Sequence, residues 1–78
     1  MDTVPWNRVI LEEFCSLAIL TPLEEQILRT RAAGWSQAKQ CHKFHVSLAT
    51  ITRTVRKLRE KYVSCCKYSD KLPDNLKF

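Results

Sequence analysis

Apolar residues recur along this chain at steps of three and four, the spacing that lines one face of an α-helix. In the first segment Val9, Ile10, Phe14 and Leu17 fall on one side, Trp6 and Leu20 join them, and Leu11, Cys15 and Ala18 widen the arc. The pattern predicts a helix from Val4 or Asn7 to Leu20. Thr3 would be its N-cap and Pro5 would sit in the first turn, where a missing N–H costs nothing. The arc is broader than one partner helix needs. Two uses fit it. Trp6, Val9, Ile10, Phe14 and Leu17 meet another chain as well as the domain, or the helix is buried on both sides within a monomer.

The second segment opens with Thr21-Pro22-Leu23-Glu24, a Thr N-cap, Pro at the first helical position and Glu closing a capping box. Leu23, Ile27 and Leu28 form its apolar side, and Gly34 ends it where a left-handed residue is easiest. A short third helix over Gln37–Phe44 is capped by Ser36 and followed by a tight His45-Val46 connection. Ser47 caps a fourth helix reaching about Tyr62 or Cys65, on which Ile51, Val55, Leu58 and Tyr62 share one stripe. Ala49, Arg53, Arg56 and Glu60 lie opposite, with Thr52 and Arg59 on a flank. Residues 1–67 thus form one domain. Residues 68–78 read as a tail, either a frayed end or a loop lying across the domain surface, for which Leu72, Leu76 and Phe78 are the candidate anchors.

Composition agrees. With a single Gly and three Pro, the chain lacks the turn residues a sandwich or barrel of short strands requires, so the fold class is all-α with four helices. A chain of 78 residues buries only about 60–65% of its unfolded surface and has a small core. No export signal or membrane span is legible, so a cytoplasmic protein with its four Cys reduced is expected.

Charge is distributed unevenly. Residues 1–28 set Arg8 against Asp2, Glu12, Glu13, Glu24 and Glu25 for a net −4, whereas residues 29–67 set ten Lys and Arg against Glu60 alone for a net +9. Lys71 and Lys77 cancel Asp70 and Asp74 in the tail. A basic block is either a solvated face or the footprint of a polyanion. Its place decides the reading: it covers two helices joined by a short turn, the second capped and basic, which are the parts of a helix-turn-helix. In that motif the second helix enters the major groove with its first turns toward the base edges. We therefore expect sequence-specific binding of double-stranded DNA, in transcriptional control, through a reading helix at 47–62. Arg53 is the candidate for a base edge, and Thr50, Thr52, Arg56 and Lys57 for phosphates. Ser36, Gln37, Ser47 and Ala49 complete the candidate surface.

Leu20-Thr21-Pro22-Leu23-Glu24-Glu25-Gln26-Ile27-Leu28-Arg29, then Gly34-Trp35-Ser36, Val46-Ser47 and Thr50-Ile51 through Val55 and Leu58 resemble the helix-turn-helix of the LuxR/GerE family. Region 4 of sigma factors is built similarly, and Ala49-Thr50-Ile51-Thr52-Arg53 resembles the reading helix of Trp repressor. The chain as a whole resembles small helix-turn-helix proteins of bacterial phages and mobile elements. The resemblance implies that Ser47 caps the reading helix, that Thr50 lies near the DNA backbone, and that Ala49, Thr52, Arg53 and Arg56 face the groove. Three positions depart from the LuxR/GerE pattern: Gln40 replaces a buried aliphatic, His45 a turn glycine, and Arg31 an apolar residue. The residues ahead of the motif do not resemble a sensor domain, so the signal-receiving role of the LuxR family is not expected to carry over, and the five-residue match implies no corepressor site.

Other chemistries fit less well. Cys41, His42, His45, Cys65 and Cys66 include zinc-ligand types, but no Cys-x2-Cys pair exists and adjacent cysteines chelate one ion poorly, so no metal or cofactor is expected. The pairs Glu12/Glu13 and Glu24/Glu25 point apart on a helix, and one glycine cannot build a phosphate-cradling loop, so an enzyme is not expected. The competing class is an adaptor that binds RNA polymerase or another transcription protein through the apolar first helix. A homodimer is expected for the DNA reader, because two copies double the phosphate contacts across half-sites.

Overall fold

Asn7 begins the first helix: its side-chain oxygen accepts the Ile10 N–H at 2.9 Å, and α1 runs Arg8–Leu17. The computed structural model describes residues 5–76, so the expected Thr3 cap and Val4 start lie outside the described residues. Pro5 precedes the helix instead of entering its first turn. The far end is also shorter than expected. Ala18 turns to extended backbone, and Leu20 leaves the helix because Thr21 must itself be extended to cap the next one.

The other starts follow the caps read from sequence. In α2 (Pro22–Ala32) Glu24 N–H donates to Thr21 Oγ1 at 3.2 Å and Thr21 N–H donates to Glu24 Oε1 at 2.9 Å, both halves of the capping box. Gly34 at φ 92° ends it, letting the Trp35 N–H reach back to the Thr30 carbonyl at 3.0 Å. In α3 (Gln37–Phe44) Ser36 Oγ accepts the Lys39 N–H at 3.1 Å. In α4 (Leu48–Cys66) Ser47 Oγ accepts the Thr50 N–H at 3.2 Å. The three-residue turn between α3 and α4 needs a left-handed residue, and His45 supplies it at φ 56°, ψ 45°. Only glycine takes that region without cost.

The fold is all-α, with α4 packed against α1, α2 and α3. Phe14, Ile27, Leu28, Ile51 and Leu58 are fully enclosed, each burial favouring the fold by about 1.5–3 kcal/mol relative to exposure. Tyr62 completes an aromatic group, edge-on to Phe14 at 5.3 Å and to Trp6 at 6.1 Å between ring centroids. The first-helix surface expected to meet another chain needs correction here. Ile10 and Phe14 belong to the chain's own core and Trp6 is half-buried against it. Val9 and Leu17 alone of that set stay exposed, at 64% and 43%. The arc is wide because α1 touches both α2 and α4, so its inner residues are already covered.

The tail does cross the surface. Leu72 and Leu76 are buried, the Tyr62 hydroxyl donates to the Pro73 carbonyl at 2.6 Å, and the Ser69 hydroxyl donates to the Glu13 carboxylate. Phe78 lies outside the described residues. An ion pair with its carboxylate side buried links α2 to α4: Lys61 Nζ on α4 reaches Glu24 Oε1 at 2.8 Å and also donates to the Ile19 carbonyl at 2.9 Å. Burial opposes ionisation of Glu24, but Lys61 together with the Thr21 N–H and hydroxyl outweighs it and holds the carboxyl below its ordinary value. Among the described residues no helix is long and apolar enough to cross a membrane.

Candidate nucleic-acid interface

The period of the helix sorts α4 into two sides. Ile51, Thr54, Val55, Leu58, Tyr62 and Cys65 turn inward and are buried. Ser47, Ala49, Thr52, Arg53, Arg56 and Lys57 turn outward and are exposed. Ala49, Arg53 and Arg56 are spaced four and three apart and so share one face. Thr50, half-buried at the margin, is held by the cap: its N–H and hydroxyl both meet Ser47 Oγ, at 3.2 and 3.0 Å. Thr54, one turn on, donates its hydroxyl to the Thr50 carbonyl at 2.8 Å, so it is tied to the helix and does not project. Apart from the exposed Leu48, the first two turns of α4 present small or hydrogen-bonding groups, and the third adds Arg56 and Lys57. Glu60 is the first acid along this face.

Ser36 and Gln37, at the start of α3, are also exposed. Gln37 meets α4 across a groove of about 330 Å3 lined by Arg31, Gln37, Thr52, Val55, Arg56 and Arg59. Its floor is Val55, only 8% exposed. Burial, and then the charge of Arg59, both pull the Arg31 guanidinium below its ordinary value. The candidate residues Gln37, Thr52 and Arg56 thus come together, while Arg53 and Lys57 lie outside that groove on the helix face.

Two contributors to this surface were not legible beforehand. Arg31 enters from α2, and only the packing of α2 on α4 joins it to Thr52, Arg56 and Arg59, which the period of α4 already places on one flank. Leu48 is the second. Its spacing to Ile51 suggests the inner stripe, yet it is 55% exposed, because the first turn of α4 projects past the core.

The residues of the departures each find a place. Gln40 is fully buried where an aliphatic was expected; its amide donates to the Ile27 carbonyl at 3.0 Å and to Thr30 Oγ1 at 2.9 Å, tying α3 to α2. His45 holds the left-handed turn. Trp35 stacks on Phe44 at 6.5 Å with Lys39 Nζ 4.2 Å from its ring, fixing the loop ahead of α3. The zinc-ligand types do not converge: among the described residues no three His, Cys, Asp or Glu side chains gather in a metal-binding group. Cys65 is buried and Cys66 half-buried beside it, and burial pushes both thiols up toward the neutral form.

No protein-family model matches the chain, and no curated protein or solved structure resembles it significantly, so the surface is judged on its own chemistry.

Proposed function

We propose that this chain binds double-stranded DNA sequence-specifically and acts in transcriptional control, with the first turns of α4 in the major groove. One observation carries the reading: the outward side of α4 from Ser47 to Lys57 is exposed and free of acids, while its inward side is anchored in the core. A helix held in that way presents its N-terminal turns as a rigid probe. Arg53, exposed and flanked by Ala49 and Thr52, has the reach to pair with a guanine edge. Leu48 and Ala49 are suited to a thymine methyl, and Thr50, Thr52, Arg56 and Lys57 to phosphates.

A second reading has its own observation. Val9, Leu17 and Ile19 are exposed apolar residues of α1 and the loop after it, Ile19 at 92%. They suit an adaptor that docks RNA polymerase or another transcription protein, or the second copy of a DNA-binding dimer. Binding to duplex DNA separates the classes. Under the DNA reading, Arg53→Ala weakens binding by tenfold or more, as expected for a bidentate Arg–guanine pair. An adaptor's affinity for its protein partner is indifferent to Arg53. A folded wild type that ignores duplex DNA at low salt rejects the first reading.

A further inference from the structure

We infer that Leu48, the first residue of α4, reads the C5-methyl group of a pyrimidine in the major groove, so that binding distinguishes thymine from uracil and 5-methylcytosine from cytosine. The inference rests on the proposed DNA-binding function and adds to it a methyl-sensing contact that owes nothing to hydrogen bonding.

Leu48 is 55% exposed, and it belongs neither to the core nor to the partly buried apolar residues packed against the core. Scattered exposed leucines are ordinary on protein surfaces. This one is set apart by its place. Helical Cα–Cβ bonds tilt toward the N-terminus, so a side chain at the first position leans over the end of α4 that enters the groove in the proposed docking. The backbone that carries it is fixed. Ser47 Oγ accepts the Thr50 N–H at 3.2 Å, and the left-handed His45 sets the turn ahead of the cap. Ala49 follows Leu48, and Thr52, four residues on, shares its flank; both are exposed. These three side chains offer methyl groups and, apart from the Thr52 hydroxyl, no polar atom.

The chemistry of this patch selects its target. In the major groove a base pair offers donors, acceptors and, on thymine, the C5-methyl group. Leucine has no donor or acceptor, so it is blind to the O4 of thymine and to the amino group of cytosine. What it registers is whether a methyl group stands there to be buried against it. 5-Methylcytosine carries its methyl on the same C5 atom, so one contact serves both bases. Burying one methyl group is worth about fourfold in affinity. Arg53, in the next turn, works differently, through hydrogen bonds to a guanine edge.

The test first selects a preferred duplex from a random pool with the full chain. Each thymine is then replaced in turn by deoxyuridine, and affinity is followed by fluorescence anisotropy. At one thymine or more, loss of the methyl is expected to weaken wild type about fourfold. Cytosine and 5-methylcytosine placed at that position, opposite guanine, should differ by the same ratio. In Leu48→Ala both ratios should fall toward one, whereas Arg53→Ala should bind every duplex more weakly and keep both ratios. Leu48 lies outside the core, so Leu48→Ala keeps the fold, and a circular-dichroism melt checks it. A wild type indifferent to every thymine-to-uracil exchange, while still preferring the selected duplex, would overturn methyl reading and leave DNA binding intact. Ratios that persist in folded Leu48→Ala would also overturn it, by placing the methyl against another side chain. Wild type that binds no duplex at all would overturn both readings.

Discussion

Replacing Gln40 tests how this small core tolerates a polar residue. The side chain is fully buried, its amide donates to the Ile27 carbonyl and Thr30 Oγ1, and its Oε1 has no hydrogen-bond partner. Gln40→Leu removes two hydrogen bonds, each about 0.5–1.5 kcal/mol net. It strands neither partner, because the Thr30 hydroxyl still donates to the Gln26 and Ile27 carbonyls at 2.9 and 3.1 Å. It also removes an unmatched buried acceptor, which costs about 1–3 kcal/mol, and buries an apolar side chain of similar size in its place. These terms leave Gln40→Leu within about 1 kcal/mol of wild type, on the stabilising side. Gln40→Ala loses the same bonds and opens a cavity, placing it about 2–4 kcal/mol below the Leu variant. In a domain of this size that separates the two melting temperatures by roughly 10–30 °C. Urea unfolding followed by circular dichroism measures both. If Gln40→Leu falls as far as Gln40→Ala, the amide bridge from α3 to α2 outweighs its desolvation and the reasoning is refuted.

Three further outcomes are expected. Glu24 is held ionised below its ordinary value of 4.5, so its contribution to stability is fully present above pH 4.5 and is lost as pH falls through the folded value; wild type should therefore lose stability on acidification more steeply than Glu24→Gln, and parallel acid-unfolding curves would contradict this. His45→Gly should stabilise by about 0.5–1 kcal/mol, since relief of the left-handed cost exceeds the added chain entropy; a loss of more than 1 kcal/mol in a thermal melt would show that the exposed imidazole makes contacts worth more than the strain. Tyr62→Phe removes the hydroxyl that holds the Pro73 carbonyl, lowers stability by about 1 kcal/mol, and should speed hydrogen exchange at Leu72 and Leu76; unchanged exchange there would mean the buried leucines alone retain the tail.

The fold was legible wherever a local rule decides the structure. Thr21, Ser36 and Ser47 announce helix starts because capping is settled within three residues, and Ile51, Val55, Leu58 and Tyr62 give the buried side of α4 because the helical period is fixed. Legibility failed where two elements compete for a segment. Leu20 carries the apolar period of α1, but the extended backbone at Thr21 ends that helix earlier, at Leu17. Ile10 and Phe14 could not be assigned to core or partner from the sequence, since an apolar arc looks the same against α2 and α4 as against another chain. The candidate site divides similarly. The outward residues of α4 follow from one helix's periodicity, whereas the meeting of Arg31 with Arg59 depends on how α2 packs on α4, which spacing along the chain does not encode.

The measurement that bears most directly on the account is the affinity of the full chain for duplex DNA as salt is varied, with a light-scattering mass taken alongside. Each neutralised phosphate steepens the slope of log affinity on log salt by about 0.9. The account expects a slope of about −3 or steeper and a marked loss of affinity on Arg53→Ala. A folded protein that binds no duplex at low salt, or binds with a flat salt response unchanged by Arg53→Ala, would contradict it.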